Sequence, residues 1–493
     1  MKSGYKVFII TVLSALLAFL FIGQKSIWLD EAMTITIANH WIAMWHILLY
    51  REPYMWLYYL IFYLWTRLGT GEAYVRSLSA VFAVATVPCV YLLGSRLYGK
   101  TVGLITGLLL TINTFFIQYA QEVRSYSLLI LLITLSSYFL VETVLQSSKK
   151  YLTAFAFTSI LAIYAHHAAL FFIFAQFFSL LFLPDLKQKM RLVFLSGFPI
   201  LIGIIPLGIF HVTNTNISWI ERPTLITVFS FLISLSGGHV ALVCLYSIII
   251  LIGLISIRNK ATKKQQKVSR WCHIYMPILL AVPPIIAYMI SITIQPIFVI
   301  RYLLPCLIPL TVLGAFGIEQ IPRIWIRIGV MTLFIVISAI SISVYYFNRE
   351  PRFVHGFQYV IKENWREATR NVLRQVKPDD AVVFYAYFVR APFEYYLSRT
   401  NVQRLQLHLI DLASSPYSIG GVQPEPNVRL LSKLSAQYSR VWLILSHNVS
   451  RKLHRDVQTD EIKTYLTGEF VQQNSLHYDG ITVELYSSPR LAD

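Results

Sequence analysis

The sequence predicts a polytopic α-helical membrane protein that carries an α/β domain outside the membrane at its C-terminal end. Three observations carry this. Of the 493 residues 56% are hydrophobic and only 13% charged, and the mean hydropathy of +0.59 lies well above that of soluble domains. Apolar runs of roughly 18 to 25 residues recur over the first two thirds, each long enough to cross a hydrocarbon core about 30 Å thick. From about residue 347 those runs stop, charges of both signs intermix, and short apolar segments alternate with helical patterns. The chain therefore divides into a membrane domain, 1–346, with a first outer loop at 24–74, and a soluble domain, 347–493.

Taken in order, spans are expected at 6–23, 75–97, 102–119, 125–145, 151–165, 168–184, 192–210, 239–257, 273–294, 302–319 and 326–346, about eleven in all. Residues 5–23, behind Lys2 and Lys6, resemble a signal-peptide core, but the many spans that follow favour an uncleaved first helix. Two apolar segments are short for a span: Pro53 to Trp65, crowded with Trp and Tyr, and Leu225 to Leu235, which runs into Gly237 and Gly238. The basic residues decide their placement. If both lie in the interface as aromatic-rich juxtamembrane helices, the loops with Arg96 and Lys100, Lys149 and Lys150, Lys187, Lys189 and Arg191, Arg258 through Arg270, and Arg323 and Arg327 all face the cytoplasm. The N-terminus is then cytoplasmic and the C-terminal domain extracytoplasmic, as in a multipass protein of a bacterial plasma (inner) membrane. In the tail, a helix over Lys362 to Gln375 precedes a strand over Ala381 to Tyr387, and a helix over Val428 to Gln437 precedes a strand over Val441 to Ser446. That rhythm predicts a parallel sheet flanked by helices.

Positive-inside bias accounts for much of the net charge of +18, so no nucleic-acid partner is expected. Cys89, Cys244, Cys272 and Cys306 lie in or beside apolar segments without CxxC spacing, which argues against a metal cluster or structural disulfides.

With the basic loops inside, the remaining boundary charges collect on the outer side: Asp30, Glu31, Arg51, Glu52, Glu72, Arg76, Glu122, Arg124, Glu221, Arg222 and Arg301. Such a one-sided cluster marks a polar cavity. Each member also has a plainer reading. Asp30-Glu31 opens an amphipathic helix expected to end near Tyr50, where acids complement the macrodipole. Arg51-Glu52-Pro53-Tyr54 suits an interfacial anchor, and Glu122 with Arg124 suits an ion pair at a span end. His166-His167 falls between the fifth and sixth spans, where adjacent side chains diverge and interfacial packing is the simpler explanation; His239 reads the same way. Arg301 begins the tenth span and either snorkels or binds a phosphate through its planar fork. Pro378-Asp379-Asp380 reads as a turn, and Asn216-Ile217-Ser218 and Asn448-Val449-Ser450 match glycosylation sequons.

The arrangement resembles the GT-C superfamily of polyprenyl-phosphate-sugar-dependent transferases, in particular glycosyltransferase family 39 with its protein O-mannosyltransferase and aminoarabinose transferase relatives. The resemblance rests on Trp28-Leu29-Asp30-Glu31 in the first outer loop, Arg51-Glu52-Pro53-Tyr54, Arg76 at the start of the second span, Glu122-Val123-Arg124-Ser125-Tyr126, and Arg301-Tyr302-Leu303-Leu304-Pro305. It covers about the first 350 residues. Several relatives carry a lysine or histidine ahead of the proline, where this chain has Arg51 and Glu52.

The resemblance implies a GT-C fold and inverting transfer of a monosaccharide, mannose-like or related, from a polyprenyl-phosphate carrier to a protein, lipid or glycan hydroxyl on the outer face. A carboxylate must take the hydroxyl proton and cations must hold the leaving phosphate. Asp30, Glu31 and Glu122 are the catalytic candidates, with Asp30 as base. Arg51, Glu52, Tyr54, Arg76, Arg124, Tyr126, His166, His167, Arg301 and Tyr302 are the substrate-binding candidates, with Arg301 first for the phosphate. A lipid monophosphate needs less neutralisation than a nucleotide diphosphate, so no cofactor is required, and a divalent cation stays an open alternative. A transporter or flippase is the rival reading, because boundary charges also line substrate paths. No internal repeat is evident, and the charges gather at one face.

Overall fold

The computed structural model describes residues 2–50, 54–211, 220–260, 267–347, 362–385, 389–400, 407–412, 428–446 and 457–489. Arg51, Glu52, Pro53, both sequons and part of the basic stretch from Arg258 to Arg270 lie outside them. By its contacts the chain forms two units, one of residues 1–22 and 41–359, the other of residues 23–40 and 360–493.

The first unit is helical. Glu72–Tyr98, Tyr126–Gln146, Leu186–Leu207, Arg270–Thr293, Ile300–Gln320 and Ile324–Phe347 are long and apolar enough to cross a membrane. Gly4–Phe19 and Ala169–Phe182 are shorter apolar helices, and Lys149–Ala165 packs beside Tyr126–Gln146. Where the sequence predicts one span at 102–119, two helices stand, Lys100–Thr111 and Thr114–Ala120, bent by 64°. The cause is Asn113, whose Oδ1 accepts from the backbone N–H of Phe116 as an N-cap while its Nδ2 donates to the Leu235 carbonyl. Leu225–Ser236 ends in left-handed Gly237 and is bent by 78° from Val240–Ser256, so it stands as a helix separate from the following span. The tenth predicted span begins as a 3-10 turn, Ile300–Cys306, before the α-helix Leu307–Gln320.

Two devices pack these helices. Small residues allow close approach: a Cβ on Gly103 would lie 2.5 Å from the Tyr91 carbonyl oxygen, so the hairpin of Glu72–Tyr98 and Lys100–Thr111 closes only with glycine there. Buried polar side chains bond across helices: the Ser136 hydroxyl donates to Gln176 Oε1 at 3.0 Å and stands 3.0 Å from the Ser159 hydroxyl, and Gln176 Nε2 donates to the Ser137 hydroxyl. On Leu186–His211, Phe194, Phe198 and Leu201 are about two-thirds exposed, an apolar surface suited to lipid.

The second unit is built on a five-stranded sheet: β1 (Ala381–Phe384), β2 (His408–Asp411), β3 (Arg440–Ser446), β4 (Val471–Tyr478) and β5 (Ile481–Ser487), in the order β2-β1-β3-β5-β4. β1 pairs in parallel with β2 and β3, as the helix–strand rhythm predicts. The sheet is nevertheless mixed, because β5 runs antiparallel to both β3 and β4. The β4–β5 hairpin turns at Asp479-Gly480, with Gly480 at φ 71°. Both faces are covered, since β1 and β3 alternate their side chains between two cores. Val382, Phe384, Trp442 and Ile444 pack with Trp365 and Val372 of the helix Trp365–Gln375, while Val383, Leu443 and Leu445 pack with Ile462 and Leu466 of Val457–Glu469. Asp380 is a turn residue: its carboxylate accepts from the Lys377 backbone N–H, Arg440 Nε and Trp442 Nε1.

Candidate active site

In the first unit the site begins at Gln121–Ser125, between Thr114–Ala120 and Tyr126–Gln146. Every residue of this connection is buried, an unusual state for a loop, so its backbone groups and their neighbours need partners within the protein. Gln121 supplies several of them. Its Nε2 donates to the carbonyls of Ala18 at 3.0 Å and Leu20 at 2.7 Å, beyond the end of the first helix, and its Oε1 accepts from the Tyr345 hydroxyl at 3.1 Å. The Ser79 hydroxyl donates to the Arg124 carbonyl at 3.2 Å and stands 3.1 Å from the Tyr58 hydroxyl. One turn earlier on the Ser79 helix, buried Arg76 donates from Nη1 to the Ile22 carbonyl at 3.0 Å. The loop bearing Glu122 and Arg124 is thus pinned to the first helix, to Glu72–Tyr98 and to the last span.

Against this loop stands an aromatic corner. The ring of Tyr126 lies 5.7 Å from His166 and 6.2 Å from Tyr302, and the His166 and Tyr302 rings are 4.6 Å apart. The Arg301 guanidinium carbon is 5.9 Å from the centre of the Tyr302 ring. His166 ends Lys149–Ala165 in extended backbone, and its Nδ1 accepts from the Ala168 backbone N–H at 3.1 Å. This bond assigns the neutral tautomer with the proton on Nε2. Burial holds the His166 pKa well below its ordinary 6.5, and His167, Arg124 and Arg301 push it further down. Arg124 and Arg301, far apart in sequence, thus both stand in the region of this histidine, Arg301 beside the Tyr302 ring and Arg124 two residues ahead of Tyr126. Such a region suits an anion with several oxygens.

In the second unit, the segment read as one helix from Asp30 to Tyr50 breaks at His40, and Leu29–Asn39 is a helix of its own. Asp30, half-buried, sits in its first turn and accepts at its backbone carbonyl from the Thr34 hydroxyl at 2.8 Å. Glu31 is fully buried and pairs with Lys362 at 3.5 Å.

The structure therefore gathers Glu122, Arg124, Tyr126, His166, His167, Arg301 and Tyr302 around one corner of the first unit. Arg76 serves the neighbouring backbone, and Tyr54 lies half-buried just ahead of the helix Trp56–Thr66. Asp30 and Glu31 belong to the second unit. Among the described residues no three His, Cys, Asp or Glu side chains come together in a way that would hold a metal ion. The sequence reading missed Gln121, Ser79 and Tyr58, uncharged residues whose only sequence signal is position beside a charged motif. It also missed Lys362, Glu363 and Arg366, which bond to the first loop from the other end of the chain.

Comparison with known proteins agrees with this architecture. Residues 52–210 match the family described as dolichyl-phosphate-mannose-protein mannosyltransferase. No curated protein sequence matches the chain. The crystal structure of ArnT from Cupriavidus metallidurans bound to undecaprenyl phosphate is similar over 98% of each chain, at 12% identity and a TM-score of 0.64. The oligosaccharyltransferase of Archaeoglobus fulgidus tethered with an acceptor peptide is similar over 90% of this chain and 69% of that one, at 10% identity and a TM-score of 0.53. Over nearly its whole length the chain is thus similar in fold to ArnT, and within that fold residues 52–210 carry the mannosyltransferase family match.

Proposed function

We propose that the chain is an inverting transferase that moves a monosaccharide, mannose-like or related, from a polyprenyl-phosphate carrier to a hydroxyl of a protein, lipid or glycan at the outer face of a bacterial inner membrane. The observation that carries the reading is the gathering of Arg301 and Arg124, residues far apart in sequence, at the corner formed by the Tyr126, His166 and Tyr302 rings. The undecaprenyl phosphate bound to the similar ArnT structure supports a lipid phosphate as the anion. The topology proposed with this reading has about eleven spans, a cytoplasmic N-terminus and an extracytoplasmic C-terminal domain, since that arrangement puts the basic loops inside.

In the reaction, an acceptor hydroxyl oxygen forms a bond to the anomeric carbon as the bond from that carbon to the phosphate oxygen breaks. The hydroxyl proton passes to the Asp30 carboxylate, and the bonding electrons leave with the lipid phosphate. Arg301 and Arg124 stabilise the charge that grows on the phosphate, with Arg51 as a third cation, and these bonds strengthen as the transition state forms. Glu31, Glu122 and Glu52 orient the cations or hold sugar hydroxyls. Tyr126, Tyr302, His166, His167, Tyr54 and Arg76 shape the pocket wall. The chemistry requires no cofactor.

The test is transfer of radiolabel from a panel of polyprenyl-phosphate sugars in membranes holding equal amounts of the wild-type chain or Asp30→Asn. Transfer by the wild type that disappears in the variant supports the reading. Unchanged transfer removes Asp30 as base, and no transfer from any donor favours a transport function.

A further inference from the structure

The helix that carries Asp30 does not cap itself. Its N-cap position is Trp28, whose side chain makes no capping bond, so the first backbone N–H groups of Leu29–Asn39 need an acceptor from elsewhere. Glu363 provides it: its Oε2 accepts from the Leu29 N–H at 3.1 Å, across 334 residues of sequence. The same oxygen accepts from Trp365 Nε1 at 2.8 Å, and Trp365 is fully buried in the core of the sheet. The β4–β5 turn holds the other side of Glu363. Asn364 donates its backbone N–H to the Asp479 carbonyl at 3.1 Å, and a Cβ on Gly480 would lie 2.9 Å from Glu363 Cγ. Around this cap, Arg366 donates to the carbonyls of Gly23, Gln24 and Lys25, Tyr396 accepts the Ile27 N–H at 2.8 Å, and Lys362 neutralises buried Glu31.

The geometry points to Glu363 as a positioning residue for Asp30, and this inference rests on the reading of Asp30 as the base. An anionic acceptor fixed by Trp365 and the β4–β5 turn sets the direction and register of the first helical turn, one residue from the carboxylate that takes the proton. The C-terminal domain is then a working part of the catalytic apparatus, whatever else it binds. Misplacement of a catalytic group by about 1 Å costs on the order of 10²-fold in rate, and this is the scale expected when the cap is removed.

The experiment compares Glu363→Ala, Glu363→Gln, Asp30→Asn and the Asp30→Asn/Glu363→Ala double variant in the full-length protein. It measures turnover per folded molecule and KM for a polyprenyl-phosphate sugar. Glu363→Ala is expected to lose about 10²-fold in kcat with donor KM within about twofold of wild type. Glu363→Gln keeps an acceptor oxygen and is expected to stay within about tenfold of wild type. Because Glu363 acts through Asp30, adding Glu363→Ala to Asp30→Asn is expected to lower the residual rate no further. The inference is overturned if Glu363→Ala turns over like wild type per folded molecule, if Glu363→Gln falls as far as the alanine variant, or if the two losses multiply in the double variant. Asp30→Asn alone tests the base: full activity there sinks the reading of Asp30, whereas its loss beside an active Glu363→Ala sinks only the positioning role.

Discussion

Replacing Gln121 with leucine removes a side chain that serves three partners at once. The carbonyls of Ala18 and Leu20 lose their donor, and the Tyr345 hydroxyl loses its acceptor. Each buried group left without a partner costs about 1 to 3 kcal/mol, so three of them predict a loss of about 3 to 9 kcal/mol. Local relaxation and lipid or detergent-associated water offset part of this, which favours the lower half of that range. Tyr345→Phe breaks one of the three bonds and should cost about 1 to 2 kcal/mol. The assay is reversible unfolding in detergent for wild type, both single variants and the double variant. The Tyr345→Phe change should add little on top of Gln121→Leu, since its partner is already gone. Turnover of folded Gln121→Leu should fall as well, because Glu122 is the next residue and Arg124 shares the loop. A Gln121→Leu protein no less stable than Tyr345→Phe, or strictly additive losses, would refute the idea that this amide staples the Glu122–Arg124 loop to the first helix.

Two further outcomes are expected. Arg301→Met should lower kcat by about 10²- to 10³-fold, whereas Arg301→Lys, which keeps the charge but loses the planar fork, should lose about tenfold, measured by initial rates with a polyprenyl-phosphate sugar. His166 gives a pH signature. Its folded pKa lies below the ordinary 6.5, so below that value the unfolded chain binds a proton that the folded chain refuses. Its contribution to stability is therefore full above about pH 6.5 and is lost as the pH falls toward the folded pKa. Unfolding in detergent at pH 5 and pH 7.5 should show a smaller difference for His166→Asn than for wild type, and an equal difference would contradict the assignment of His166 as a buried neutral group.

Helix positions in the first unit were legible because bilayer thickness forces long apolar runs, and Glu72–Tyr98, Tyr126–Gln146 and Ile324–Phe347 coincide closely with the spans read from hydropathy. The break at Asn113 was not, because an asparagine inside an apolar run gains its meaning from the Leu235 carbonyl, which only the fold brings near. In the second unit the period of β1 and β3 was visible. The β4–β5 hairpin was overlooked although Asp479-Gly480 is a turn signal, since β4 is polar on its exposed side and lacks a continuous apolar run. Of the candidate site, the charged and aromatic members could be found because ionisable groups are costly at a membrane boundary and therefore conspicuous. Gln121, Ser79 and Glu363 could not, because a backbone partner leaves no pattern in the sequence. The grouping of residues 23–40 with the C-terminal sheet was likewise hidden, as it depends on bonds such as that from Arg366 to the Gly23 carbonyl.

The bond between the Leu29 N–H and Glu363 also has a consequence for the order in which the protein is made. A ribosome working at about 5 to 20 residues per second needs roughly 17 to 70 s to cover the 334 residues between them. During that interval the segment with Asp30 has left the ribosome without the acceptor that completes its first helical turn, while the spans that follow are still being inserted. With Asp30 as the proposed base, competence for transfer would arrive only with the last quarter of the chain. A message cut short between the codons for Arg301 and Glu363 would yield a product that holds Arg124 and Arg301 but lacks the acceptor for the first turn of the helix that carries Asp30.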